Sequence, residues 1–206
     1  MTTTTLRRPV LRFDEETHRY YLDEVLIPGT TGILADNGFI DTEFYTEEGR
    51  IRGTRVHLLC QFFDEGRYDA SEAERFGLAG YVESWRKLKA RLSMEMVGIE
   101  ELLAHPVYRF GGRPDRLVKI RGRLWVIDQK TGGREKWHRL QLGSYEQLYL
   151  ANGTVGPICR GGAYLKADGS IADFIEYSDM NDGLNFLSLV AATHLRAEYG
   201  VKRSHE

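Results

Sequence analysis

Gly112-Arg113-Pro114-Asp115 and, one hairpin later, Val126-Ile127-Asp128-Gln129-Lys130-Thr131-Gly132 form the stretch on which the reading turns. Between them, Leu117-Val118-Lys119-Ile120 alternates weakly. Leu124-Trp125-Val126-Ile127 is nearly all apolar, as a buried strand is. Arg121-Gly122-Arg123 supplies the turn. Asp115 opens the first strand, Asp128 closes the second, and Lys130 follows two residues later. Side chains two apart on a strand share a face. Asp128 and Lys130 therefore point the same way, and an antiparallel return brings Asp115 beside them.

Two carboxylates converging at strand ends suit a hard divalent cation such as magnesium or manganese. A lysine beside them can stabilise developing negative charge or steer an attacking water. Together these groups are the equipment of metal-assisted hydrolysis.

Composition sets the outer bounds. At 206 residues the chain fits one domain, residues 1–206, with a sizeable core. Hydrophobic content of 42% and charged content of 28% are globular values. Residues 1–10 are Thr-rich and then basic, without the apolar core of a signal peptide, and no stretch has the apolar length of a membrane span. Cys60 and Cys159 are too few for a four-thiolate cluster and fit a reducing compartment. The expected location is the cytoplasm.

Net charge is −2, but its distribution is uneven. From Arg109 to Arg139 ten basic residues face Asp115, Asp128 and Glu135, so the segment carries +7 and the remainder −9. A basic surface around a carboxylate site suits a polyanion. Solvated hairpin edges are the plainer account of the same charges.

Elsewhere, residues 10–13, 19–22 and 25–27 read as a small strand meander, and Thr30 or Thr31 as the cap of a short helix through Leu34. Residues 35–45 read as irregular. Residues 46–64 read as a helix with Val56, Leu59, Cys60 and Phe63 as its apolar stripe, and with Gly53 and His57 on one face. Gly53 costs about 1 kcal/mol against alanine there, which points to close approach by another segment. Ser71 and Glu74 read as the capping box of a helix running to about Leu92, which Gly77 and Gly80 can interrupt. Residues 95–108 read as mostly extended, with Glu100 entering the strand before the central hairpin. A helix over 137–151 follows, with Gln141 and Tyr145 on one face. A hairpin of 158–165 and 171–177 and a last helix over 182–199 complete the chain. The order suits α/β architecture of the mixed α+β kind: a central mixed β-sheet flanked by helices on both faces.

In order, Gly53-x-x-x-His57, Glu100, Gly112-x-x-Asp115, Asp128-x-Lys130-Thr-Gly and Gln141-x-x-x-Tyr145 resemble the motifs of the PD-(D/E)XK nucleases, specifically the RecB-like branch. Residues 18–34 look like the lead-in of that branch's small phage and prophage exonucleases. The resemblance covers roughly residues 10–150 and implies a restriction-endonuclease-like core. It implies Asp115 and Asp128 as principal metal ligands, with the Gln129 carbonyl as another. His57 is implied as ligand or neighbour of the metal, Glu100 as its anchor, and Lys130 as the group near the attacking water. Gln141 and Tyr145 would hold the active-site helix. The implied cofactor is Mg2+ or Mn2+, and the implied activity is DNA hydrolysis, most often exonucleolytic, in phage-type recombination or repair. The alternatives are a structure-specific endonuclease or a silent nucleic-acid-binding module of the same fold. Arg113, Arg134, Lys136, Trp137 and Arg139 are the expected DNA contacts, with core packing as the equal account of Trp137 and the favoured one for Tyr149. A single-strand annealing or recombination protein is the expected partner, and no membrane is implied. The chain has no Gly-x-x-x-x-Gly-Lys-Ser/Thr loop, so a motor would have to come from another chain.

Overall fold

The computed structural model describes residues 9–40 and 46–201. The Thr-rich start and the end of the 35–45 stretch lie outside the described residues. A small antiparallel meander comes first: β1 (Leu11–Asp14), β2 (Arg19–Leu22) and β3 (Val25–Ile27). Helices α1 (Thr30–Asp36), α2 (Glu47–Asp64), α3 (Ala70–Arg75) and α4 (Ala79–Arg91) follow. Then come β4 (Glu95–Ile99), β5 (Leu103–Ala104), β6 (Gly111–Gly112), β7 (Arg116–Ile120) and β8 (Arg123–Lys130). Helix α5 (His138–Ala151), β9 (Ile158–Tyr164), β10 (Asp173–Glu176) and α6 (Asn181–Tyr199) close the chain.

The main sheet has the order β10-β9-β8-β7-β4. Only the β8–β9 pair is parallel, because α5 carries the chain back across one face between them. The sheet is therefore mixed. Alternation along β8 assigns its faces. Trp125 and Ile127 pack against Val56 and Cys60 of α2 and Val82 and Trp85 of α4. Val126 packs on the other side, against Leu142 and Leu148 of α5, Phe186 of α6 and Ile33 of α1. This is the expected sheet with helices on both faces, the restriction-endonuclease-like arrangement.

The β7–β8 hairpin turns through Arg121 (φ 50°) and Gly122 (φ 75°), a two-residue loop with both central residues left-handed. Such a turn fixes the register, and Arg116 faces Ile127. Asp115 and Asp128 are consequently brought to one end of the hairpin.

Several local expectations shift. Helix α1 is capped by Gly29 without a side-chain bond, because Thr30 turns inward to donate to the Gly111 carbonyl at 3.3 Å. Helix α3 is capped by Asp69 rather than Ser71, since the Asp69 carboxylate reaches the Ser71 N–H. Gly77 (φ 66°) separates α3 from α4, whereas Gly80 continues inside α4. Glu100 lies just past β4 with φ 48°, a left-handed conformation uncommon outside glycine. Trp137 is the N-cap residue of α5 rather than its first turn.

Gly143 shows what the α5–α6 packing demands. A Cβ there would stand 2.8 Å from the backbone of Asp182 and Gly183, which cannot swing aside. Gly53 is different: its Cβ would meet only Thr131 Oγ1, at an ordinary 3.7 Å. Gly143→Ala is expected to destabilise the fold by about 1–3 kcal/mol, a Tm loss of roughly 3–10 °C by calorimetry. Gly53→Ala, by contrast, should fold with undiminished Tm.

Candidate active site

The site forms where β7 begins and β8 ends. Asp115 is 5% exposed and Asp128 2%. Asp115 Oδ2 accepts the Gln129 backbone N–H at 2.6 Å, so this carboxylate ties the two strands together beyond their last ladder pair. A residue's N–H and C=O leave a strand on the same edge, so the Gln129 carbonyl faces the Asp115 side as well. The Gln129 side chain points the other way, fully buried and with neither amide atom bonded among the described residues.

His57 reaches in from α2, its Nδ1 3.2 Å from Asp115 Oδ1. Glu100 arrives through its left-handed turn, and its N–H donates to the Asp115 carbonyl at 3.0 Å. One ligand atom each from His57, Glu100 and Asp115 lies within 4.8 Å of the other two. Asp128 stands outside this trio, with its Oδ2 drawn to Lys130 Nζ at 2.6 Å. Lys130 also donates to Gln141 Oε1 at 2.7 Å, and Gln141 Nε2 donates to the Tyr145 hydroxyl at 3.0 Å. Helix α5 thus fixes the ammonium from behind.

The electrostatics are those of a site with excess negative charge. Burial pushes Glu100 up to about 7, with Asp115 adding to the rise. Burial likewise pushes Asp128 up to about 6 against the pull of Lys130. Burial works against a charged His57, but Asp115 outweighs it and lifts His57 to about 9, with Asp128 and Glu100 contributing. Asp115 is held below its ordinary value, because His57, Arg116 and the Gln129 N–H together exceed the cost of burial. The imidazolium therefore stands where added positive charge is wanted. Carboxylates, one imidazole and a strand carbonyl make a donor set that fits a divalent cation.

Sequence reasoning missed the support behind Glu100. Arg116 is fully buried, its Nε 2.6 Å from Asp64 Oδ2 and its Nη1 3.3 Å from Glu100 Oε1. Asp64, at the end of α2, also accepts from Trp85 Nε1 at 2.9 Å and Lys89 Nζ at 2.7 Å. A signal existed: Arg116, Val118 and Ile120 share a strand face, and two of the three are apolar.

The expected DNA contacts fall in two places. Arg113 opens onto the His57–Glu100 cleft, bridging Glu15 (3.1 Å) and the Glu100 carbonyl (3.2 Å). Arg134, Lys136, Trp137 and Arg139 line a separate cavity of about 840 Å³ with Phe39 and Leu189. Lys136 is exposed, and the Arg134 guanidinium lies over the Tyr177 ring. Trp137 is half-buried, its ring centre 5.2 Å from Lys130 Nζ, so it stands between the cavity and the carboxylates. Arg139 is engaged by Asp179 and Asp182. Tyr149 is a core residue, its hydroxyl donating to Glu101.

A sequence profile described as the PD-(D/E)XK nuclease superfamily matches residues 50–178, well over half of the chain. The chain belongs to this superfamily. No curated protein sequence matches it. Among solved structures, SSO0001 aligns at 21% identity and a TM-score of 0.38, over 75% of this chain and 63% of its own, so the chain spans under two thirds of that protein. A candidate exonuclease from Eubacterium rectale aligns at 13% identity and a TM-score of 0.45, over 84% of this chain and 74% of its own. LHK-Exo, an alkaline exonuclease from Laribacter hongkongensis solved with dAMP, aligns at 15% identity and a TM-score of 0.30, over 84% of this chain and 93% of its own.

In this superfamily member the loop after Lys130 is anchored by a buried relay. His138 Nδ1 accepts the Glu135 N–H and bonds the Tyr164 hydroxyl at 2.8 Å, which in turn meets the Tyr177 hydroxyl at 2.7 Å. Burial, aided by Lys130 and Arg134, pushes His138 down to about 3. Its folded pKa lies below the unfolded value of about 6.5. Its contribution is therefore complete above about pH 6.5 and lost as pH falls toward 3. Denaturant titrations from pH 7 to pH 4.5 should show the chain losing stability faster than His138→Phe, by about 1 kcal/mol per pH unit below 6. Parallel slopes would contradict a neutral buried imidazole.

Proposed function

We propose that this chain is a metal-dependent deoxyribonuclease that cuts phosphodiester bonds, working inward from DNA ends. The convergence of Asp115, Asp128, Glu100, His57 and Lys130 at one end of the β7–β8 hairpin carries this reading. Intact Asp115, Asp128 and Lys130 favour it over a silent binding module. The resemblance of residues 18–34 to the lead-in of small phage exonucleases favours an end-directed enzyme over a structure-specific endonuclease. It also favours a role in phage-type recombination or repair beside a single-strand annealing protein. Cys60 and Cys159, both free and buried, suit a reducing cytoplasm. Among the described residues no helix is long and apolar enough to cross a membrane. One domain carries the whole activity in this reading.

Asp115, Glu100, His57 and the Gln129 carbonyl would hold Mg2+ or Mn2+, with Asp128 joining when its carboxylate turns from Lys130. A bound divalent ion there lowers the pKa of a ligated water and neutralises charge on the phosphate. His57, protonated against Asp115, would release that proton to solvent and so offer a nitrogen lone pair to the ion. Lys130, held by Gln141, aims its ammonium at the attacking water and the phosphate oxygens. Gln141, itself held by Tyr145, gives that ammonium a second partner besides Asp128.

With magnesium, the purified chain should shorten linear end-labelled DNA and leave closed circles intact. Lys130→Ala should lower the rate by about 10²–10⁴-fold. Full activity in that variant would remove the mechanism, and cut circles would remove the end-directed reading. Calorimetric titration with manganese should show uptake by the parent chain that Asp115→Asn abolishes. Equal uptake by both would detach the metal from this site.

A further inference from the structure

The cleft holding His57 and Glu100 is one cavity of about 840 Å³ that continues onto the small β1–β3 meander, reaching Phe13, His18 and Tyr20. No step of the hydrolysis uses these rings. Tyr20 occupies the middle of β2, where it faces Phe13 on one side and Ile27 on the other. It is only 7% exposed. Its ring is pressed into a slot made by two glycines. A methyl group on Gly29 would come within 2.9 Å of it, and one on Gly111 would overlap it. Phe13 lies 4.7 Å from Tyr20, and His18 meets the Phe13 ring edge-on at 5.0 Å from an exposed loop position.

The Tyr20 hydroxyl bonds none of the described residues, yet it is not sealed off from the cleft it lines. The hydroxyl is therefore a donor without a protein partner on a side chain that lines the cleft, open to solvent or to a ligand. Burial pushes the phenol up to about 12, with Arg113 opposing and Glu15 and Glu100 adding, so it stays a donor through the neutral and alkaline range. Arg113 lines the same cleft, its Nη1 on the exposed Glu15 carboxylate at 3.1 Å. Glu15 is the acid that an incoming anion would have to replace there.

We propose that this wall is a subsite for one nucleotide of the strand being cut, with the Tyr20 hydroxyl and Arg113 taking the phosphate next to the scissile one and the Phe13–His18 ring pair taking its base. The proposal rests on the nuclease reading for the identity of the ligand. A ring face stacks on any base, so the subsite grips without reading sequence. A phenol donating to a phosphate oxygen makes a charge-assisted bond, stronger than a neutral one. The glycine slot lets the hydroxyl be placed once and held there. The short strands of the meander gain a role that their own small core does not require.

The test uses the full chain carrying Lys130→Ala, with manganese, so that bound strands stay uncut. Binding of a fluorescein-labelled single-stranded oligonucleotide is followed by anisotropy. Adding Tyr20→Phe, which leaves the ring in its slot, should raise Kd about tenfold. Adding His18→Ala should raise it by about five- to tenfold on an ordinary oligonucleotide and leave it unchanged on one whose bases have been removed. Manganese affinity by calorimetry should be the same in all three proteins, which a general loosening of the site would not allow. Affinities within twofold of the parent for both additions overturn the subsite. An effect of His18→Ala that persists without bases overturns the stacking role. The nuclease reading is judged separately, by DNA cutting with Lys130 restored. Binding with these losses but no cutting ends that reading and leaves the subsite. Cutting with unchanged affinities ends the subsite alone.

Discussion

The hydrogen bond from the Gln129 N–H to Asp115 Oδ2 is the interaction on which the rest of the site depends. It extends the β7–β8 pairing one step past Arg116 and Ile127, using a side chain where a backbone carbonyl would otherwise serve. It also aims the second oxygen of Asp115 toward His57. Shifting the hairpin by one residue would turn Asp128 and Lys130 to the α2 side and bury them among Trp85 and Val56. The left-handed Arg121-Gly122 turn prevents that slip. A local turn preference therefore decides where the charges fall.

Holding several ionised groups in so dry a place is expensive, at several kcal/mol for each unpaired charge. The fold meets this cost by placing compensating charges in layers. His57 and Lys130 answer Asp115 and Asp128 directly. Behind them Arg116 spans from Glu100 to Asp64, and Asp64 is further satisfied by Trp85 and Lys89 from α4. Glu100 is thereby fixed by groups from α2, α4 and β7. The raised Glu100 and Asp128 show that the compensation is incomplete, which is the condition for a divalent cation to bind with gain. On the other side, the His138–Tyr164–Tyr177 relay secures the start of α5, which carries Gln141 to Lys130.

Much of this was legible because strand periodicity and hairpin turns are local. Asp128 and Lys130 share a face by spacing alone, and the antiparallel return of Asp115 follows from the turn between two apolar runs. The α2 stripe of Val56, Leu59 and Cys60 and its neighbour His57 were visible for the same reason. The failures cluster where a distant partner overrides a local preference. Thr30 gives up its capping role because the Gly111 carbonyl, far along the chain, needs its hydroxyl. Glu100 leaves the strand pattern because Asp115 and Arg116 hold it in a left-handed turn. Arg139 was counted with the phosphate contacts from its charge, yet Asp179 and Asp182 arrive from the start of α6 to engage it.

The amino-acid sequence by itself determined the hairpin and the set of acidic and basic groups at its end, since each follows from residues close together in the chain, whereas the register differs from that reading because Arg123 pairs with Ile120 instead of sitting in the turn. Only the tertiary structure decided which of those groups share a ligand-sized space and which are taken up elsewhere. His57, Glu100 and Asp115 come from a helix and two separate strand ends, and their meeting depends on how α2 packs against the sheet. The partners of Arg116 and Tyr20 were equally hidden, because a side chain's surroundings are set by long-range packing that no single stretch of sequence contains.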